Sequence, residues 1–423
     1  MKRREANPHS GKHPSGPAPA GNKRRILYHH RTQAEDAQGI HIYAMVQAFR
    51  ELGHEVEIVA LVQREGESGK EAPNKKWKRC ADLAPAWLYE LMSLSYNLVG
   101  YHRLAQAIQR QRPDLIYERY ALNTFCGVWA SRRFGIPLVL EVNAPLRHEQ
   151  EKLGKLMFKR LARFSERWIC SKSAHTLVVS SVLRDMLHEQ GVPTEQMVVM
   201  PNGIAAEKFH PNVSGAAVRV RYGLEDKTVI GFVGWFRKWH GLEMLLEIMH
   251  ESRWHEQNVR LLLVGEGPAE ADLKQYAQAN GLQASVIFTG PIARAEVPAH
   301  LAAMDIAVQP KAPEYACPMK IFEYLGMGKC IVAPDQPNIR EILCDRDNGY
   351  LFQPENKESL RTALSELLRD SAKRKRVEAR AAQSVFEKGF LWQENAKRTL
   401  ELIFTNECRA IMPTNLHAQT KKV

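Results

Sequence analysis

Long apolar runs are missing from this chain. None of its 423 residues fall in a stretch of about eighteen or more consecutive apolar side chains, so no transmembrane helix is expected. Cysteine is sparse and scattered, at Cys80, Cys126, Cys170, Cys317, Cys330, Cys344 and Cys408. The count is odd and no C-x-x-C pair occurs, which argues against a structural zinc and against a disulfide framework. Met1 to Asn22 has a basic start but no apolar middle. It reads as a disordered basic tail (residues 1–24) rather than a signal peptide. With neither export signal nor disulfide pattern, a reducing cytoplasmic setting is expected. Zinc-finger spacing and an aromatic RNP pattern are also missing, so nucleic acid is not an expected partner.

What remains is globular composition, 44% hydrophobic and 25% charged, with a formal net charge of +12. The length predicts two or three domains. The charge suits phosphorylated substrates or an anionic membrane surface.

Short apolar runs alternate with helical patterns. Strands are expected at residues 25–29, 56–61, 114–118, 138–142, 176–179 and 197–200, with helices between them, including a long one over 86–111 and another over 149–173. Residues 205–227 interrupt the series. It then restarts with strands at 229–233, 260–264, 286–288, 306–309 and 330–333. Continuous apolar strands alternating with helices predict parallel, doubly wound sheets. The expected fold class is therefore α/β, two Rossmann-like domains facing across a cleft. The expected domains are residues 25–204 and 205–390. A helix over 391–408 packs back toward the first domain, and 409–423 form a flexible tail.

The segment Gln309 to Asp335 carries the most chemistry. A buried strand ends at Gln309, a polar loop follows, and Pro318 suits the first turn of a helix. Free amides at that helix start form an anion site, and Lys320 adds a cation. Glu323, further along the helix, supplies a carboxylate of the kind that holds ribose hydroxyls in dinucleotide folds. Alone it is equally a solvated helix carboxylate.

The run C-P-M-K-I-F-E-Y-L-G-M-G at 317–328 resembles the donor-binding motif of glycosyltransferase family 4, the retaining GT-B family. The resemblance extends over residues 25–405. It implies the GT-B fold, and a nucleoside-diphosphate sugar donor whose ribose Glu323 holds. Glu314 stands in for the family's first glutamate, with eight residues between it and Glu323 where the family has seven. V-V-M-P-N-G-I at 198–204 is similar to the interdomain segment, with Ala205 in place of the usual Asp. In G-F-V-G-W-F-R-K-W-H-G at 231–241, Arg237 and Lys238 are the candidates for clasping the diphosphate, and His240-Gly241 occupies the usual Lys-Gly place. A loop Arg-Lys pair is otherwise a solvated one. V-G-E-G-P at 264–268 matches a family turn; the third glycine of a nicotinamide fingerprint is missing.

The resemblance thus implies Arg237, Lys238 and Glu314 as catalytic residues. It implies a donor site of Gly234, Gly265, Gly290, Ile292, Met319, Lys320, Ile321 and Glu323. On the acceptor side, Gly39 opens a helix and Glu118, Glu141 and Asn143 end two successive strands, where a Glu118–Arg119 ion pair supporting the loops is an equal reading. No metal and no cofactor are expected: Asp345-Arg346-Asp347 reads as a turn before Asn348-Gly349. The expected activity is metal-independent, retaining transfer of a sugar to a hydroxyl of a glycan or lipid-linked acceptor. A degenerate sugar-nucleotide-binding or scaffold protein and a GT-B epimerase remain open. Residues 152–168 form a basic amphipathic pattern suited to sheet packing or to an anionic bilayer. The aromatic-rich stretch 77–104 is open in the same way, so the protein is expected in the cytoplasm, peripheral at the inner membrane face if that bilayer reading holds.

Overall fold

The computed structural model describes residues 23–32, 37–60 and 86–410. The expected terminal tails lie largely outside these, as do residues 77–85 of the aromatic-rich stretch. No helix among the described residues is long and apolar enough to cross a membrane.

Two parallel six-stranded sheets form the framework. The first holds β1 (Arg25–His30), β2 (Glu55–Ala60), β3 (Leu115–Arg119), β4 (Leu138–Val142), β5 (His175–Val178) and β6 (Met197–Val199), in the order β2-β1-β3-β4-β5-β6. The second holds β7 (Thr228–Val233), β8 (Val259–Val264), β9 (Val286–Phe288), β10 (Ile306–Val308), β11 (Cys330–Pro334) and β12 (Tyr350–Phe352), in the order β12-β11-β10-β7-β8-β9. The expected pair of Rossmann-like domains is present. The strand order reverses between β1 and β3 in one sheet and between β7 and β10 in the other. Ligands of such sheets sit outside the carboxyl ends of the strands at that reversal.

Strands such as Leu138–Val142 and Cys330–Pro334 are buried along their whole length because helices cover both faces. On one face of the first sheet, helices Ala37–Glu51 and Trp392–Ala410 enclose Tyr28, Ile42, Phe49, Tyr117, Trp392 and Ala396. Helix Trp392–Ala410 is thus part of the first domain's core. The two passages between domains touch each other: Ile204 forms a β-bridge with Leu391. A Cβ on Gly203 would lie 2.6 Å from the Trp392 nitrogen, so only glycine fits there. Asn202 Nδ2 donates to the Cys317 carbonyl at 2.6 Å, tying the same crossing to the loop before the candidate donor helix.

Two local expectations need correction. The helix expected over 149–173 is two helices, Leu146–Lys152 and Lys159–Lys172. Gly154, with φ 65°, ends the first of them in the left-handed region. The buried Glu90 carboxylate accepts the Phe158 amide at 3.1 Å and so caps the start of the second. The expected common apolar stripe is therefore split: Leu156 is buried while Leu153, Met157 and Phe164 are exposed. Asp345-Arg346-Asp347, by contrast, is the turn expected, with Arg346 at φ 59°. Asp345 accepts the Leu351 amide at 2.9 Å and Asp347 pairs with Arg380 at 3.0 Å, so both carboxylates are engaged.

Candidate functional site

At the β7/β10 reversal, two loops and one helix start converge. Gly234 ends β7 at φ 140°. Helix Met319–Gly326 begins after Pro318, and Lys320 in its first turn reaches back toward β7. Its Nζ lies 4.0 Å over the Phe232 ring and 3.4 Å from His240 Nε2. A Cβ on Gly234 would come within 3.3 Å of that Nζ. Burial pushes the Lys320 ammonium down to about 7, partly offset by the charge of Glu323. Burial, and then the charge of Lys320, push the His240 ring down to about 3.

Glu323 is buried, and its Oε1 pairs with the guanidinium of Arg294. Arg294 comes from the segment just beyond Gly290 and Ile292 and lies 5.1 Å over the Phe209 ring. Gly265 and Gly290 form a β-bridge. A Cβ on Gly265 would meet the Gly234 carbonyl at 2.2 Å, and one on Gly267 the Phe236 backbone at 2.5 Å. The glycines of V-G-E-G-P therefore let two loops touch. Met319 is half-buried, while the fully buried Ile321 anchors the helix in the core. Glu314 is exposed on the preceding loop. Its neighbour Tyr315 bridges the two halves of the chain: its hydroxyl donates to Glu149, and its carbonyl accepts the Ser180 hydroxyl at 2.8 Å.

Arg237 and Lys238 do not join this cluster. Lys238 is 85% exposed and pairs with Asp272 at 3.4 Å, and Arg237 lies 4.6 Å over the exposed Trp239 ring. Residues Lys238–His240 form a single 3-10 turn. In so tight a turn successive side chains fan outward, and the one that turns inward is His240.

In the first domain the expected cleft residues form two separate networks. Neighbouring strand residues face opposite sides, so Glu118 and Arg119 do not pair with each other. Glu118 bonds His29 Nδ1 at 2.5 Å, and His29 Nε2 lies 3.0 Å from the Tyr96 hydroxyl. Arg119 donates to Glu141 Oε1 at 2.8 Å, and the Tyr117 hydroxyl donates to Oε2 at 2.7 Å. His41 Nδ1 lies 3.3 Å from the same carboxylate, its ring pushed down to about 4 by burial. Asn143 Nδ2 lies 3.5 Å from His41 Nε2. Gly39 is buried in the first turn of helix Ala37–Glu51, two residues before His41. His41, Tyr117, Glu141, Met200, Trp392 and Asn395 help line a small pocket with room for about one water molecule.

Sequence reasoning did not find Arg294 or the His41–Arg119–Tyr117 surroundings of Glu141. These contacts join residues tens of positions apart, and only the backbone brings them together. His240 was legible as the residue in the Lys-Gly place, but its contact with Lys320 was not.

Comparison with known proteins adds to this geometry. Residues 37–203 match a family model described as glycosyl transferase 4-like domain, and residues 227–370 match one described as glycosyl transferases group 1. Alpha-D-kanosaminyltransferase of Streptomyces kanamyceticus is 25% identical over 257 residues, covering 60% of this chain and 66% of that protein. Alpha-monoglucosyldiacylglycerol synthase of Streptococcus pneumoniae is 24% identical over 61% of this chain and 60% of its own length. The chain thus spans just under two thirds of these two relatives. Among solved structures, HepE of Anabaena in complex with UDP and glucose aligns with a TM-score of 0.66 at 18% identity, over 90% of this chain and all (100%) of that one. Sucrose-phosphate synthase of Thermosynechococcus elongatus aligns with a TM-score of 0.70 at 17% identity, over 92% and 100%. At these identities the two structures speak for the fold.

Proposed function

This chain belongs to the glycosyl transferases group 1 family, and from that premise we propose that it moves a sugar from a nucleoside diphosphate to a hydroxyl acceptor with anomeric retention. The observation that carries this reading is the convergence of Lys320, His240, Glu323 and a helix start at the carboxyl ends of β7 and β10. An anionic diphosphate fits the cations and the first-turn amides. The pentose hydroxyls fit the Glu323 carboxylate once Arg294 yields it. Relatives that are named for the transfer of a sugar support a sugar substrate, and HepE was solved with UDP and glucose.

In this reading the bond from anomeric carbon to diphosphate loosens first, and the sugar becomes oxocarbenium-like. The protein stabilises the departing diphosphate by preorganised charge from side chains and amides, with no metal ion. Glu314, on the exposed loop leading to the helix, is the candidate neighbour of the donor sugar. The acceptor hydroxyl arrives from the first domain, near Asn143 and Gly39.

A thermal-shift series with nucleoside-diphosphate sugars tests the donor site. A sugar nucleotide at about 100 times its dissociation constant adds about 2.7 kcal/mol of stability. Glu323→Gln loses charge-assisted bonds to the ribose and should weaken the donor roughly tenfold to a hundredfold. Unchanged affinity would remove Glu323 from the ribose. The cover of Arg294 on Glu323 also suits a degenerate binding protein; nucleotide release on adding acceptor separates enzyme from binder.

A lipid-linked acceptor at an anionic membrane is the finer part of the proposal. Met157, Phe158 and Phe164 are exposed beside Lys155, Arg160 and Arg163, which are exposed too. Glu90 joins this patch to the helix that exposes Leu88, Leu91 and Met92. Apolar side chains ringed by cations are the composition of an interfacial surface. The protein should co-sediment with anionic vesicles at low salt. Lys155→Glu with Arg160→Glu should lower that binding at least tenfold, at about 1 kcal/mol per basic residue. Equal binding to neutral vesicles, or none to either, would remove the membrane from the proposal.

A further inference from the structure

Two basic side chains from different elements meet beneath Gly234 with no acid between them. His240 comes from the 3-10 turn after β7, and Lys320 from the first turn of helix Met319–Gly326. Their nitrogens stand 3.4 Å apart. The floor is apolar: the Phe232 ring lies under Lys320 and 5.2 Å from the His240 ring. The charged groups on the surrounding elements do not balance the pair. Arg237, on the same turn, is a further cation near His240. Lys311, whose stem passes Gly241, is held by Glu355 at 2.5 Å. Glu323, one turn along from Lys320, is engaged by Arg294. The Trp235 carbonyl stands beside the His240 ring. Among the described residues, neither His240 nor Lys320 forms an ion pair.

Two cations at this separation in a half-buried, apolar-floored site repel strongly. The free protein therefore holds at most one charge here, in agreement with the lowered Lys320 and His240 values of about 7 and about 3. An anion with several oxygens reverses that balance, because each nitrogen then gains by being protonated.

Resting on the proposed donor site, we propose that His240 and Lys320 form a proton-coupled clamp, in which His240 grips a phosphate oxygen of the donor as an imidazolium. The protons come from solvent as the donor enters and return to it as the nucleoside diphosphate leaves. No bond other than N–H is made or broken in this step. The clamp gives the site a second charge that exists only when the donor is present.

Titration calorimetry of the full chain with UDP-glucose, and in parallel with GDP-mannose, tests this. The esterified pyrophosphate of a sugar nucleotide does not titrate near neutral pH, so any proton uptake belongs to the protein. The same titration in two buffers of different ionisation heat should report uptake of about one proton or more at pH near 7.5. Affinity should fall about tenfold per pH unit, for each proton taken up, on going alkaline of that point. His240→Gln should lower both the uptake and the pH slope, whereas an unchanged uptake would overturn the role of His240. The wild-type measurement stands without any variant. Binding with equal heats in both buffers and a flat pH profile would overturn the clamp and leave the donor site intact. Failure of every sugar nucleotide to bind at any pH would instead overturn the donor site itself.

Discussion

Replacing Lys320 by Met should lower turnover at least about a hundredfold. Lys320 is the one cation in the first turn of the helix that faces the β7/β10 reversal. Its ammonium adds to charge building on the leaving diphosphate, and a preorganised group of this kind contributes about 2.7–4 kcal/mol to the transition state. Met has nearly the length and stem of Lys and can rest on the Phe232 ring in the same slot. The ammonium is already disfavoured by burial, so the folded state has little to lose. The expected signature is a collapse in kcat with an unchanged melting temperature. Initial rates of nucleoside diphosphate release, measured beside a melting curve, check it. Turnover within about threefold of the native rate would show that the leaving group is stabilised elsewhere.

Arg119→Met should destabilise the first domain by about 3–5 kcal/mol, the range for removing one partner of a buried ion pair. Arg119 and Glu141 are both buried and bonded at 2.8 Å. Without the guanidinium, Glu141 retains the Tyr117 hydroxyl but no cation. His41 cannot replace it near neutral pH, because burial holds its ring at about 4. The melting temperature should fall by about 6–20 °C for a domain of this size. An uncompensated buried carboxylate rises in pKa, and taking up a proton relieves it. The deficit should therefore be larger at pH 8 than at pH 5.5, and Arg119→Met with Glu141→Gln should recover part of it. A melting temperature equal to that of the native chain at both pH values would mean that the ion pair contributes nothing.

The alternation of apolar runs and helical patterns announced both sheets, because strands covered on both faces must be apolar throughout. Strand order was not legible: nothing local in Arg25–His30 says that its second neighbour is Leu115–Arg119. The break at Gly154 was hidden inside an otherwise helical pattern, since one glycine in K-L-G-K-L leaves the apolar spacing almost intact. Lys320 and Glu323 were legible as neighbours on one short helix. Arg237 and Lys238 were chosen for their charge, but the direction of a side chain in a 3-10 turn depends on backbone geometry that composition does not carry. The partner of Glu118 was misjudged for a simpler reason. Adjacent residues on a strand look to opposite faces, and that rule alone sends Glu118 to His29 and Arg119 to Glu141.

The seam where Ile204 meets Leu391 has a practical consequence for dissecting the molecule. A fragment stopping at residue 204 would lack Trp392, Ala396 and Ile403, leaving the greasy flank of helix Ala37–Glu51 wet and prone to clumping. Anyone wishing to study the halves apart should therefore supply the terminal helix to the first one, in trans or through a short engineered link.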